Sequence, residues 1–415
     1  MKKTGQELMP LHTTVQSQKQ APITRVPFGE FSHSSISLFP TCTQPFYESS
    51  NQVALYHNHK LYPASQYDII PHLKNDIAQL PKKSASEART LKRSYLGSDL
   101  YDGFETFVPM SAKDLDSLEP CMSFIKDWER KASTKYKPGR KFNIVSTRHH
   151  IVEMTMKLFT GKTNNYNNTK KVQDYVLNVV YTGDETGRLL FTKDWSNTGN
   201  SMNEGIYSKN IILKRICYSG FALEDLMTET TSELEKEGEK LTGGEKAVFA
   251  VVENKLDDDI CILLRCELDA FNGAEKKFTE LKCFSPLKMS NFSHRRKLLK
   301  AWVQTGVLPD SDILIGIRDS SFGELEDVEW YSRDRLRSKI NNRNLPESKI
   351  DWNFNAQVAT QWSQHCIRSI CKLVDENLDQ KAISNPQGFQ IRIDSRRNIR
   401  IKCLSKVPKD ILEYL

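Results

Sequence analysis

Nothing in this chain of 415 residues stays apolar for the roughly 20 residues that a membrane span requires. The opening residues Met1-Lys2-Lys3-Thr4-Gly5-Gln6 lack the apolar stretch of a secretory signal. Nine cysteines occur, never as a CxxC pair, so zinc ligands at their usual spacing are missing. Cys217, Cys261, Cys266 and Cys283 instead sit in apolar, strand-like runs, the pattern of reduced, buried thiols. Internal repeats are absent, and neither sign of charge dominates. The net charge of +7 is compatible with a nucleic-acid partner without requiring one. These absences leave a soluble protein of the cytoplasm, with the nucleus as the other reducing compartment.

What is present suits a globular core: 38% of residues are hydrophobic and 27% charged. Residues 1–25 are polar and read as a flexible arm, and 26–415 as one domain. Ile23 to Ser49, with Pro27, Pro40 and Pro45, suggests an extended segment. Asp68 to Leu80 and Leu115 to Arg130 look helical, as do Asn210 to Met227, interrupted by Gly220, then Ser293 to Val307 and Asn355 to Asn377. Strands are expected at Val53 to Tyr56, Phe142 to Thr147, Val172 to Thr182, Arg188 to Thr192, Ala247 to Val252 and Asp312 to Arg318, with a terminal hairpin over Phe389 to Leu404. Asn164 to Asn168 reads as a polar loop, and about 228–246 as a charged insert. Strands and helices intermix throughout, which predicts an α/β or α+β domain of mixed sheets flanked by helices.

Two charged triplets interrupt the most apolar strands. Glu267-Leu268-Asp269 ends the run from Ile260 to Cys266, and Glu280-Leu281-Lys282 lies within Lys277 to Phe284. Asn272-Gly273 between them signals a turn. Residues two apart on a strand share a face, so a hairpin would gather three carboxylates and one ammonium on one surface. Clustered like charges need neutralising, and a hard divalent cation such as Mg²⁺ or Mn²⁺ suits oxygen ligands. A lysine beside it suits an anionic substrate, a phosphodiester above all. Solvated acidic pairs and cross-strand ion pairs are the plainer alternative.

Other residues read two ways. Arg148 opens a helix, where it packs or binds phosphate. The adjacent His149-His150 has no histidine partner at helical spacing, which points to the surface or to substrate contact rather than a metal. Gln304, Lys300 and Lys297 share one helix side, either a solvated basic face or one turned to a nucleic-acid backbone. Glu224 follows Gly220-Phe221-Ala222-Leu223; it is an ordinary exposed acid, or one aimed inward where Gly220 permits close approach.

Taken in chain order, Arg148, Gly220-Phe221-Ala222-Leu223-Glu224, Glu267-Leu268-Asp269, Glu280-Leu281-Lys282, Gln304 and Asp312 to Arg318 resemble the DXO family of RNA 5′-end decapping nucleases over about residues 140–320. Cys217-Tyr218-Ser219-Gly220-Phe221 and the run from His294 to Gly306 are similar to its cytoplasmic fungal branch. The resemblance implies a core like that of PD-(D/E)xK nucleases and an active site with two divalent cations, Mg²⁺ or Mn²⁺. It implies Glu224, Asp269, Glu280 and the carbonyl of Leu281 as metal ligands. Glu267 would contact metal through water and orient the nucleophile, with Lys282 and Gln304 at the scissile phosphate. Arg148, flanked by Thr147 and His149, would meet the substrate's 5′ end. Ala222 and Leu223 are smaller than the family's usual aromatic residues, and His149 replaces its usual glycine.

The activity so implied is removal of whole caps, both incomplete guanosine caps and NAD-type caps, together with 5′→3′ digestion of 5′-monophosphate RNA in mRNA quality control. No membrane and no stable protein partner are expected. The alternatives are a nuclear relative that docks on a large 5′→3′ exonuclease and acts as a pyrophosphohydrolase, and a non-catalytic RNA-binding scaffold.

Overall fold

Apolar residues on both faces place the strand Cys261–Leu268 deep in a sheet. Ile262 and Leu264 face one core and Leu263 the other, with the period of two that a pleated strand imposes. The computed structural model describes residues 23–25, 46–132, 143–159, 174–184, 186–193, 205–229, 247–341, 356–394 and 397–415. Most of the expected arm, the loop at 164–168 and most of the charged insert lie outside those residues.

The described strands form two sheets. The larger runs β1 (Ile23–Arg25), β16 (Asn398–Cys403), β15 (Gln387–Ile393), β6 (Tyr175–Tyr181), β7 (Leu189–Lys193), β5 (Ile144–Thr147), β10 (Cys261–Leu268), β9 (Val248–Lys255), β2 (Ser49–His57) and β3 (Lys60–Pro63). The smaller runs β14 (Leu325–Tyr331), β13 (Ser311–Arg318), β12 (Lys277–Phe284), β11 (Ala270–Asn272), β4 (His72–Leu73) and β8 (Thr228–Glu229). β5 lies parallel to β10, and β12 parallel to β13, so the fold is mixed α/β.

The main core lies between the sheets and the helices Arg148–Met156, Phe292–Gly306 and Ala356–Asn377. Trp362, fully buried, donates its indole N–H to the Met154 carbonyl at 3.0 Å and ties two of these helices together. Glu119–Ala132 covers the other face of the larger sheet, and Ile211–Met227 the other face of the smaller. Asn210 and Asn291 cap the Ile211–Met227 and Phe292–Gly306 helices through their side-chain oxygens.

Several expectations are corrected. Asp68 to Leu80 is not one helix: Pro71 and Pro81 divide it into a 3₁₀ turn at Tyr67–Ile69, strand β4, a helical turn at Asn75–Ala78 and a second 3₁₀ turn at Leu80–Lys82. The helix expected from Leu115 starts at Glu119, with Pro120 in its first turn, after a separate short helix ending at Leu115. The short strand at Val53 to Tyr56 extends over Ser49–His57. Gly220 neither interrupts its helix nor serves a close approach, since a Cβ there would meet nothing within 4 Å.

The close approach falls at Gly316 instead. A Cβ on Gly316 would stand 2.6 Å from Leu223 Cδ1 and 3.2 Å from Leu325 Cδ1. Leu223 is fully buried and cannot swing aside. Gly316→Ala is therefore expected to cost about 1–3 kcal/mol of stability. It should also slow turnover, because Leu223 adjoins Glu224. Thermal melts and initial rates of the variant check both, and wild-type values for the two would refute the tight packing.

Candidate active site at the crossing between two sheets

The chain changes sheets inside Glu267-Leu268-Asp269. Glu267 and Leu268 still pair with Phe249 and Val248 of β9 in the larger sheet, whereas Ala270 already pairs with Thr279 of β12 in the smaller. The long hairpin between the two charged strands is thereby corrected. Both edges of β10 are taken by β5 and β9, so only the three residues of β11 turn back on β12.

The charged groups still converge: Glu280 and Lys282 share a face of β12 as expected, and Asp269 reaches them from the crossing. Arg148 Nη1 donates to Glu280 Oε2 at 2.6 Å, and its second nitrogen reaches Oε1 at 3.4 Å. Lys282 Nζ stands 2.6 Å from Glu280 Oε1 and 3.4 Å from Asp269 Oδ2, and donates to the Leu281 carbonyl at 2.8 Å. The Leu281 N–H donates to Asp269 Oδ2 at 2.8 Å. Glu280, 4% exposed, thus lies between two cations.

Burial and the neighbouring Asp269 hold the Glu224 carboxyl well above the usual carboxylate range, with Lys282 opposing and Glu267 and Glu280 adding to the rise. Asp269 is pushed up to about 6 by burial and by Glu280, against Lys282 and Arg148. Glu280 goes the other way: burial is outweighed by Arg148 and Lys282, which lower it. Burial alone would lower Lys282, but Asp269 and Glu280 raise it, so its ammonium stays charged.

Glu224, Asp269, Glu280 and the Leu281 carbonyl offer hard oxygen donors, the set that Mg²⁺ or Mn²⁺ takes. Burial first, and then the neighbouring acids, raise Glu224 and Asp269 in spite of Lys282, so a further cation beside them would favour their charged forms. The residues therefore fit a divalent cation. Among the described residues no group of three or more His, Cys, Asp and Glu side chains already forms a cage. Arg148 and Lys282 hold the oxygens that ligation would use.

Beside the acids lies a cavity of about 210 Å³ lined by Thr147, Arg148, His149, Glu267, Lys300 and Gln304. Its wall includes the start of the Arg148–Met156 helix, whose N–H groups favour an anion. Thr147 Oγ1 is buried there with no hydrogen-bond partner. Lys300 is paired with Glu153 at 2.6 Å, while Lys297 stands over the Phe284 ring at 5.5 Å, so the basic side expected for this helix is divided. The histidine pair is divided as well. His149 is exposed on the cavity. His150, 1% exposed, lies 2.7 Å from Asp116 and 3.0 Å from the Tyr175 hydroxyl.

Asp116, Lys193 and Arg265 also line the cavity and were not singled out in the sequence. Arg265 carried a signal, a charge within an apolar strand; it donates to the carbonyls of Leu115 and Ser117 and stacks on Phe249. Asp116 carried none.

A family model described as RAI1-like PD-(D/E)XK nuclease matches residues 73–413. The decapping and exoribonuclease protein 1 of Saccharomyces cerevisiae is 42% identical over 388 residues, covering 93% of this chain and 84% of its own length. The Kluyveromyces lactis protein of the same name is 31% identical over 345 residues, covering 81% of this chain and 76% of its own. The crystal structure of K. lactis Dxo1 in complex with manganese superimposes with a TM-score of 0.63 at 26% identity, over 88% of this chain and 93% of that one. Candida albicans Rai1 in complex with pU5 and Mn²⁺ shares the fold, with a TM-score of 0.59 at 16% identity over 88% of this chain and 91% of that one. With the two mixed sheets, the acids at their crossing and a match spanning most of its length, the chain belongs to the RAI1-like PD-(D/E)XK nuclease family.

Proposed function

We propose that this protein is a metal-dependent hydrolase of RNA 5′ ends, removing caps and digesting 5′→3′ in one site. One observation carries the reading: a helix N-terminus with Arg148 and the unpartnered Thr147 hydroxyl opens a cavity directly beside the acid cluster. A phosphate at a terminus suits the first, and a phosphodiester under attack suits the second. The naming of two relatives as decapping and exoribonuclease proteins supports it.

In this reading Glu224, Asp269, Glu280 and the Leu281 carbonyl hold one or two divalent cations, which supply charge neutralisation and a more acidic water when bound. Manganese in the K. lactis structure supports the choice of ion. Glu267, on the cavity wall, orients the attacking water. Lys282, kept protonated by Asp269 and Glu280, faces the charge that develops on the phosphoryl oxygens. The Gln304 amide aligns the phosphate, and Thr147, Arg148 and His149 hold the end group. Incomplete guanosine caps and NAD-type caps both present such a diester, and both belong to the proposal. Cytoplasmic residence does too, supported by cysteines that are all free among the described residues.

Product analysis on 5′-labelled RNAs tests this. Capped and 5′-monophosphate linear RNA should be consumed with Mg²⁺ or Mn²⁺ and spared in EDTA. Circular RNA of the same sequence should survive. Rapid cutting of the circle would mean an endonuclease and remove the end-selecting cavity from the account.

A further inference from the structure

The first turn of the Ile211–Met227 helix carries its apolar side chains outward. Asn210 caps it by accepting from the Ile212 and Leu213 N–H groups, so the turn is fixed rather than frayed. Successive helical residues point about 100° apart, and yet Ile211, Ile212 and Leu213 are 53%, 64% and 45% exposed. The turn therefore projects from the body on all sides, and Ile216 adds an exposed side chain one turn on. Four of the eleven large hydrophobic residues exposed among the described residues thus fall within six positions, the mark of an interaction surface. The helix is anchored just behind them. Tyr218 donates its hydroxyl to the Asp102 carbonyl at 2.6 Å, and its ring meets Phe104 and Phe107 edge-on. Gly103, at φ +81°, leaves room for that hydroxyl, since a Cβ there would stand 2.7 Å from it.

Beside the projection lies a recess of about 580 Å³ lined by Tyr101, Gly103, Phe104 and Arg215. Asp99, Asp102 and Glu105 make its rim acidic. Glu105 is paired with Arg215 at 2.9 Å, whereas Asp99 and Asp102 have no cation partner among the described residues. The projection has the opposite sign: Lys209 and Lys214 flank it, and they too have no counter-ion among the described residues. An acidic rim repels RNA and anionic lipid alike, which leaves a protein as the occupant. An apolar knob and a hollow of opposite charge, side by side on one surface, are self-complementary, the condition for an interface with two-fold symmetry. We infer that this surface joins two copies of the chain. Each copy seats Ile211, Ile212 and Leu213 in the other's recess, with Lys209 and Lys214 facing Asp99 and Asp102. Ile212 lies twelve residues before Glu224, about 18 Å along the helix, so the contact lies away from the acid cluster.

Sedimentation equilibrium of the full chain, over about 1–100 μM, reads the association. The average mass should climb from the 47.7 kDa of one chain towards twice that value. Ile212→Asp, at an exposed position, should weaken association by about tenfold or more. Its melting temperature and its rate on capped RNA should stay those of wild type. Lys209→Glu combined with Lys214→Glu should also dissociate the dimer. Adding Asp99→Lys and Asp102→Lys should restore it, because each reversed charge then meets a reversed charge on the other copy. A wild-type chain that is monomeric throughout, a dimer that survives Ile212→Asp, or a folded fourfold variant that stays monomeric would overturn the proposal. So would weaker binding of Ile212→Asp to a 5′-phosphorylated oligouridylate in EDTA, read by fluorescence anisotropy, which would assign the surface to RNA instead.

Discussion

Glu280→Gln is expected to reduce turnover of capped RNA by about 10³-fold or more and to destabilise the fold in the same step. Glutamine keeps the shape and removes the charge. That charge is a candidate metal ligand and also the partner of two cations: Arg148 at 2.6 Å and Lys282 at 2.6 Å. Arg148 is itself only 8% exposed, and among the described residues no other carboxylate forms an ion pair with it. Removing one side of a buried ion pair strands the other, at about 3–5 kcal/mol. Urea unfolding and single-turnover rates measured on the same preparation check both halves. A variant that turns over at near wild-type rate would show that Glu280 is no part of the reacting centre. Lost activity at unchanged stability would show that the ion pair is not structural.

Arg148→Ala is the second large effect, and the structure changes its expected form. Assigned only to the substrate's 5′ end, Arg148 would act chiefly on KM. Its guanidinium also fixes Glu280 by a two-pronged contact. The variant should therefore lose about 10²-fold in kcat through a misplaced ligand as well as raise KM. Arg148→Lys should not restore kcat, because an ammonium cannot make the forked contact. Steady-state kinetics of both variants on one capped RNA give the answer. An unchanged kcat with raised KM would confine Arg148 to the end group.

Much of the architecture was legible because the relevant residues repeat at the period of their element. Leu298 and Trp302 announced one helix, and the alternating burial of Ile262, Leu263 and Leu264 was implicit in an unbroken apolar run. What escaped depends on neighbours rather than on period. That β10 and β12 occupy different sheets follows from β5 and β9 filling both edges of β10, and β5 lies more than a hundred residues upstream. β14 was missed because Glu326, Asp327 and Glu329 blur its alternation on an edge strand. The Arg333–Ile340 helix buries only Leu336 and Ile340 and was missed too. At the site, the acids and lysine were readable because charges inside apolar strands are conspicuous. Asp116 was not, because its place beside His150 and the Lys193 N–H is decided entirely by tertiary packing.

The switch of sheets at Leu268 also bears on how the molecule unfolds. Acids delivered by the larger sheet, the crossing, the smaller sheet and the Glu224 helix would all be drawn onto one ionic centre. A bound cation then acts as a rivet across pieces that are otherwise joined by packing. Saturating it should raise the unfolding midpoint in proportion to the logarithm of free ion concentration. It should also sharpen the transition, because sheets that can part separately must then melt together.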